Sequence, residues 1–113
     1  MSRRIDIVEV GPRDGLQNDP ANLSTEQKLE FISRLEDCGV RRMESGSFVS
    51  PRAVPKMADS AEVFRGLDRS KPTRHIALAL NEKGVRRAID AQADEINFVL
   101  VAARSLRRRP ARN

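Results

Sequence analysis

The chain has 113 residues, room for at most one small domain, and with 39% apolar content and neither Trp nor Tyr its core must rest on Ile, Leu, Val, Ala and four Phe. A single cysteine excludes an intrachain disulfide and with it a secreted disulfide scaffold, and no run of about 18 apolar residues is there to cross a membrane. The net charge of +5 is confined to one end: residues 102–113 hold Arg104, Arg107, Arg108, Arg109 and Arg112 with no acid, leaving 16 basic residues (21 minus 5) against 16 acidic ones elsewhere.

Residues 5–10 form a short apolar run that predicts a buried strand. A strand starting at Ile5 leaves no length for a signal or transit peptide, so a cytoplasmic protein is expected. The turn that follows, Gly11-Pro12-Arg13-Asp14-Gly15-Leu16-Gln17-Asn18, delivers an arginine, an aspartate and two amides to the carboxyl end of that strand. Parallel α/β proteins build their active sites at this end.

Ser24, with Gln27 three residues on, fits a capping box. Leu29, Ile32 and Leu35 then make an apolar stripe at helical spacing, with Phe31 and Cys38 beside it, and Gly39 closes the helix. Residues 40–45 predict a second strand, and residues 46–58 an irregular stretch broken by Gly46, Pro51 and Pro55. Asp59 and Glu62 suggest another capping pair, ahead of a helix with Val63, Phe64 and Leu67 on its apolar face. Pro72 separates it from a third strand at 75–80. Asn81 is placed to cap a third helix carrying Val85, Ala88 and Ile89, and residues 95–101 predict a fourth strand.

The predicted order is β-α-β-α-β-α-β, an α/β chain whose strands are parallel and joined by right-handed crossovers. Pattern alone fits either part of a (β/α)8 TIM barrel or a small open flavodoxin-like sheet. A complete barrel takes about 250 residues, so this length suits roughly half of one.

The chemistry concentrates at two strand ends. Asp14 beside the fixed cation Arg13 stays ionised and suits a hard divalent metal, while Arg13 itself meets oxyanion charge without titrating. Glu44 ends the second strand, so it stands about 5–10 Å from the first strand's acid. As bare patterns, an Arg-Asp pair and a strand-end glutamate are more often solvated surface groups. The loop Gly46-Ser47-Phe48-Val49-Ser50-Pro51 suits the lining of a pocket and packing under a helix equally well. His75, the only histidine, opens its strand at the opposite end and is expected to be structural or at the surface, and Cys38 is expected to be a small core residue. Neither nucleotide-binding glycine fingerprint is matched by Gly11 and Gly15.

Three stretches taken together resemble the hydroxymethylglutaryl-CoA lyase family. They are Val8 with the ten residues after it through Asn18, Met43-Glu44-Ser45-Gly46-Ser47-Phe48-Val49-Ser50-Pro51 followed by Val54-Pro55-Lys56-Met57-Ala58-Asp59, and Glu95-Ile96-Asn97-Phe98-Val99-Leu100-Val101. The resemblance implies a TIM-barrel lyase of leucine degradation that uses Mg2+ or Mn2+. Its acyl-CoA substrate, 3-hydroxy-3-methylglutaryl-CoA, would be cleaved to acetyl-CoA and acetoacetate. It further implies Asp14 as a metal ligand, Arg13 as the group that steadies the enolate, and Glu44 as a support for the cation's shell. Gln17 and Ser47 would contact substrate together with Arg13. The chain departs from the family pattern at Ala53, where an aromatic residue is common, and at Lys56, where a glutamine is. The family's His-x-His metal pair and its Gly-rich cysteine loop are not matched by His75 or Cys38.

Residues 1–101 are therefore expected to be the N-terminal part of a lyase barrel and 102–113 a basic, truncated tail, with an incomplete metal-ligand set and no independent activity. Open sheet edges would favour self-association. Two other readings stand beside this one: another metal-dependent barrel aldolase or acyltransferase, and a non-enzymatic α/β module using its basic tail. Nucleic acid is not the expected partner, because terminal charge runs are ordinarily just solvated.

Overall fold

The computed structural model describes residues 5–100. A π-helical turn, Gly11–Gly15, runs into α1 (Leu16–Asn18) and is followed by α2 (Thr25–Asp37) and β1 (Arg42–Ser47). A 3-10 turn at Pro55–Met57 precedes α3 (Ser60–Arg65), β2 (Arg74–Ala79), α4 (Glu82–Asp90) and β3 (Glu95–Phe98). The strands form one parallel sheet in the order β1-β2-β3, with Met43 opposite His75 and Leu78 opposite Asn97. A bulge between Glu44 and Gly46 shifts the register of β1. Helical crossovers between parallel neighbours bear out the α/β reading.

Local signals set the helix ends. Gln27 N–H donates to Ser24 Oγ at 3.1 Å and Ser24 N–H donates to Gln27 Oε1 at 2.8 Å, the two halves of a capping box. Gly39 takes φ +95° just past α2, a left-handed conformation that closes a helix at little cost only in glycine. Asn81 Oδ1 accepts from Gly84 N–H at 2.8 Å and caps α4. The core lies between sheet and helices and includes Ile32, Met43, Phe48, Val63, Phe64, Leu67, Ala77 and Ala88. Each fully buried large side chain here contributes about 1.5–3 kcal/mol. Among the described residues, no helix is long and apolar enough to cross a membrane.

Tertiary packing overrides the sequence pattern in five places. Residues 5–10 are not a strand; they meet β1 in a single parallel bridge, Glu9 to Met43. Glu9 N–H donates to Arg42 O at 2.9 Å and Glu44 N–H to Glu9 O at 2.8 Å, while Ile5 and Ile7 stand 86% and 81% exposed. With a neighbour on one side only, an apolar run has nothing to complete its ladder. Asp59 precedes α3 but makes no cap bond, because Thr25 Oγ1 at 2.6 Å and Lys28 Nζ at 2.5 Å claim its carboxylate. Cys38 is exposed, since α2 turns its last residue away from the core. Ile89 is exposed as well, because α4 seats its small residues Gly84 and Ala88 against the sheet. β3 ends at Phe98, although Val99 N–H still donates to Ala79 O at 3.1 Å. The expected strand residue Val101 and the basic tail lie outside the described residues.

Phe48 packs under α3. It is buried, its ring centroid 5.7 Å from that of Phe64, and it also lines a cavity between α3 and α4.

Candidate active site

The turn after Glu9 is held by its own backbone. Val10 O accepts from Arg13 N–H and from Gly15 N–H, each at 3.1 Å, and Glu9 Oε2 accepts from Gly11 N–H at 3.0 Å. Pro12 is buried and presets the backbone of the first turn. Arg13 is thereby brought against β1, where its Nε donates to Glu44 Oε1 at 2.8 Å. The other oxygen of Glu44 is occupied too: Asn97 Nδ2, from β3, donates to Oε2 at 2.9 Å. Glu44 is 5% exposed, and a cation and an amide satisfy both its oxygens.

Asp14 completes the group on the open side. Its Oδ1 lies 3.6 Å from Arg13 Nη1 and accepts from Asn18 Nδ2 at 3.1 Å, while its side chain is 53% exposed. Arg13 thus touches both acids, and the structure gathers Arg13, Asp14 and Glu44 as the sequence predicts. Asn97 is the member that sequence reasoning missed. Its signal was a lone amide inside the apolar run Ile96-Asn97-Phe98, facing a partner two strands away. Gln17 sits nearby in α1, and its Oε1 is buried without a hydrogen-bond partner among the described residues. Ser47 stands apart: its N–H donates to Ser60 Oγ of α3 at 2.9 Å and its own hydroxyl is buried without a partner among the described residues. A recess of about 360 Å³ opens where Val8, Val10, Glu44, Ile76 and Asn97 meet.

Two further charge clusters frame the sheet, the first of them, Arg42 with Glu95, lining the same recess. Glu95 receives Arg42 Nη2 at 2.5 Å and Arg74 Nε at 2.7 Å, and those hydrogen bonds, led by the one from Arg42, hold its carboxyl below the usual range. His75 is buried, within 2.6 Å of Ser45 Oγ at Nδ1 and 3.4 Å of Glu36 Oε2 at Nε2. Burial pushes its imidazole pKa down, against the opposing pull of Glu36. It is structural, as its position in the sequence suggests.

The donor set falls short of a metal centre. Among the described residues no group of three or more His, Cys, Asp and Glu side chains is placed to hold an ion. Both oxygens of Glu44 are in use, which leaves Asp14 as the carboxylate with room for a cation.

A parallel βα sheet with an arginine and two acids gathered on one side of it is the α/β arrangement of part of a (β/α)8 barrel. A family model described as HMGL-like matches residues 4–110. The chain is 45% identical over 101 residues to the human "3-hydroxy-3-methylglutaryl-CoA lyase, cytoplasmic", covering 89% of itself and 27% of that protein. It is 36% identical over 107 residues to a hydroxymethylglutaryl-CoA lyase of Bacillus subtilis, covering 95% of itself and 36% of that protein. An HMG-CoA lyase structure from A. baumannii, in complex with coenzyme A and 3-methylmalate, superposes with a TM-score of 0.83 at 44% identity, over 88% of this chain and 33% of that one. The chain belongs to the HMGL-like family, and it spans about a third of the length of these relatives. Metal dependence is general in that family.

Proposed function

We propose that this chain carries the enolate-stabilising part of a hydroxymethylglutaryl-CoA lyase site, for cleavage of 3-hydroxy-3-methylglutaryl-CoA to acetyl-CoA and acetoacetate. One observation carries the reading: Arg13 is fixed at Nε by Glu44, which is itself fixed by Asn97. Breaking the carbon–carbon bond sends its electron pair onto the departing acetyl thioester, whose oxygen becomes an enolate, while the tertiary hydroxyl gives its proton to a base that the described residues do not supply and becomes the ketone of acetoacetate. A guanidinium already oriented in a partly buried setting meets that charge with little reorganisation. Glu44 and Asn97 are positioning residues in this scheme, and Gln17 and Ser47 are assigned to substrate contact along with Arg13. Asp14 supplies one oxygen to a divalent cation, Mg2+ or Mn2+, whose remaining ligands the described residues do not provide.

An acyl-CoA is the proposed partner, in keeping with the coenzyme A held by the A. baumannii relative. The proposed setting is the cytoplasm, following the human relative's name, although a chicken relative at 43% identity is named mitochondrial, and leucine degradation is proposed on the family resemblance alone. The 113-residue chain on its own is proposed to be inactive, because one available carboxylate holds a catalytic cation poorly.

The test places residues 5–100 in the matching segment of the Bacillus subtilis relative and follows acetoacetate release. The chimera cleaves the substrate, Arg13→Gln in it lowers kcat by about a hundred- to a thousandfold, and the 113-residue chain alone gives no signal. A folded chimera indifferent to Arg13→Gln overturns the assignment of Arg13. Acetoacetate from the chain alone, lost on Asp14→Ala, overturns its inactivity.

A further inference from the structure

A cavity of about 430 Å³ lies between α3 and α4 and shares no residue with the Arg13–Glu44 cluster. Phe48 and Phe64 line it, and Arg65, Arg69 and Arg87 stand around it with Asp90 as the one acid, three positive charges against one negative. Ordinarily such a surplus is relieved by ion pairs. Here only Arg69 is relieved, by Asp94: among the described residues neither Arg65 nor Arg87 has a salt-bridge partner, and Asp90 pairs with none of the three arginines.

Two of the three arginines are nevertheless held in place. The Arg87 guanidinium carbon lies 5.2 Å from the centroid of the Phe48 ring, and Phe48 is itself locked in the core. Arg69 Nη2 donates to Ala91 O at 3.3 Å and its Nη1 lies 3.6 Å from Asp94. Fixing a guanidinium before a ligand arrives removes part of the entropy cost of binding. Stacking on an aromatic face leaves the guanidinium's edge donors free, and those edges fit the paired oxygens of a phosphate. The volume falls within the range of small-ligand sites and is closed on the core side by rings, so the arrangement is a bounded pocket and not a stripe that would track a polyanion.

We infer that this cavity is a binding site for a small phosphate ester, held at its phosphate by Arg65, Arg69 and Arg87 and at its body by the apolar floor. It is independent of the lyase assignment, because none of its residues takes part there.

The probe is inorganic pyrophosphate, titrated calorimetrically into the 113-residue chain at moderate salt. Arg65→Gln and Arg87→Gln each weaken binding roughly tenfold, the loss of one charge-assisted contact. Arg34→Gln, an exposed arginine paired with Glu30 on α2, leaves it unchanged. Circular dichroism of each variant matches the parent, and Arg65→Gln, at an exposed position, carries the test should Arg87→Gln disturb the fold. Three outcomes overturn the inference: no heat up to about 10 mM pyrophosphate, a range reaching weaker than millimolar affinity; an equal loss with Arg34→Gln, which means bulk charge; or undiminished binding in both site variants, which assigns the anion to the arginines of residues 102–113.

Discussion

At the scale of single residues, Glu44 and His75 show two ways of keeping an ionisable group inside. Glu44 has both oxygens hydrogen-bonded, to Arg13 and Asn97. His75 is pushed toward its neutral form by burial, with Glu36 and Asp94 pulling its pKa up and Arg69 pulling it down further. A histidine whose folded pKa lies below the unfolded value of about 6.5 takes up its proton more readily in the unfolded chain. Its contribution is therefore complete above that value and is lost as pH falls through it. Urea unfolding between about pH 7.5 and 5.5 should show stability declining with acid, and His75→Gln should flatten the slope. An unchanged slope in the variant would assign the decline to other groups. Arg13, Asp14 and Glu44 were legible as neighbours because each lies on or just after a segment running beside the next, although residues 5–10 are not a strand. Glu44 lies inside β1 rather than at its end as expected, since β1 starts and stops two residues later than the pattern predicts. Asn97 was not, because its role depends on which strand pairs with which.

At the scale of elements, the signals that held were those satisfied within one turn of chain: Ser24 with Gln27, Gly39, and Asn81 with Gly84. Those that failed were competitions with distant groups. Asp59 has the composition of a cap, yet Lys28 and Thr25 of α2 outbid the backbone of its own helix. Gly84 shows the same conflict in a form that can be measured. Helix propensity favours alanine over glycine there by about 1 kcal/mol. A Cβ at that position, however, would meet Phe48 O at 2.5 Å, and a backbone atom cannot step aside. Gly84→Ala should therefore destabilise by about 1–3 kcal/mol in chemical denaturation, the reverse of the propensity trend. A neutral or stabilising result would show that α4 can shift from the sheet.

At the scale of the whole molecule, the described sheet is open on both sides. β3 has a neighbour only in β2, and Ile5, Ile7, Phe98 and Leu100 stand between 52% and 86% exposed. In a closed barrel such edges vanish; here they are templates for pairing with another chain. Sedimentation velocity over a concentration series should show the 113-residue chain growing in mass as it is concentrated. A single monomeric boundary throughout would show that its edges are protected. The fold class was legible because the alternation of elements is a local pattern. The extent of the first strand was not, because a strand exists only by virtue of its neighbours.

The lone Glu9–Met43 bridge has a mechanical meaning for the arginine beside it. Glu9 ties backward to β1 through its main chain and forward to Gly11 through its carboxylate, so one residue is both anchor and lever arm. Whatever comes to lie along the bare flank of Ile5 and Ile7 rests on the segment that Glu9 anchors, and the guanidinium two residues past Gly11 takes its place from that same anchor.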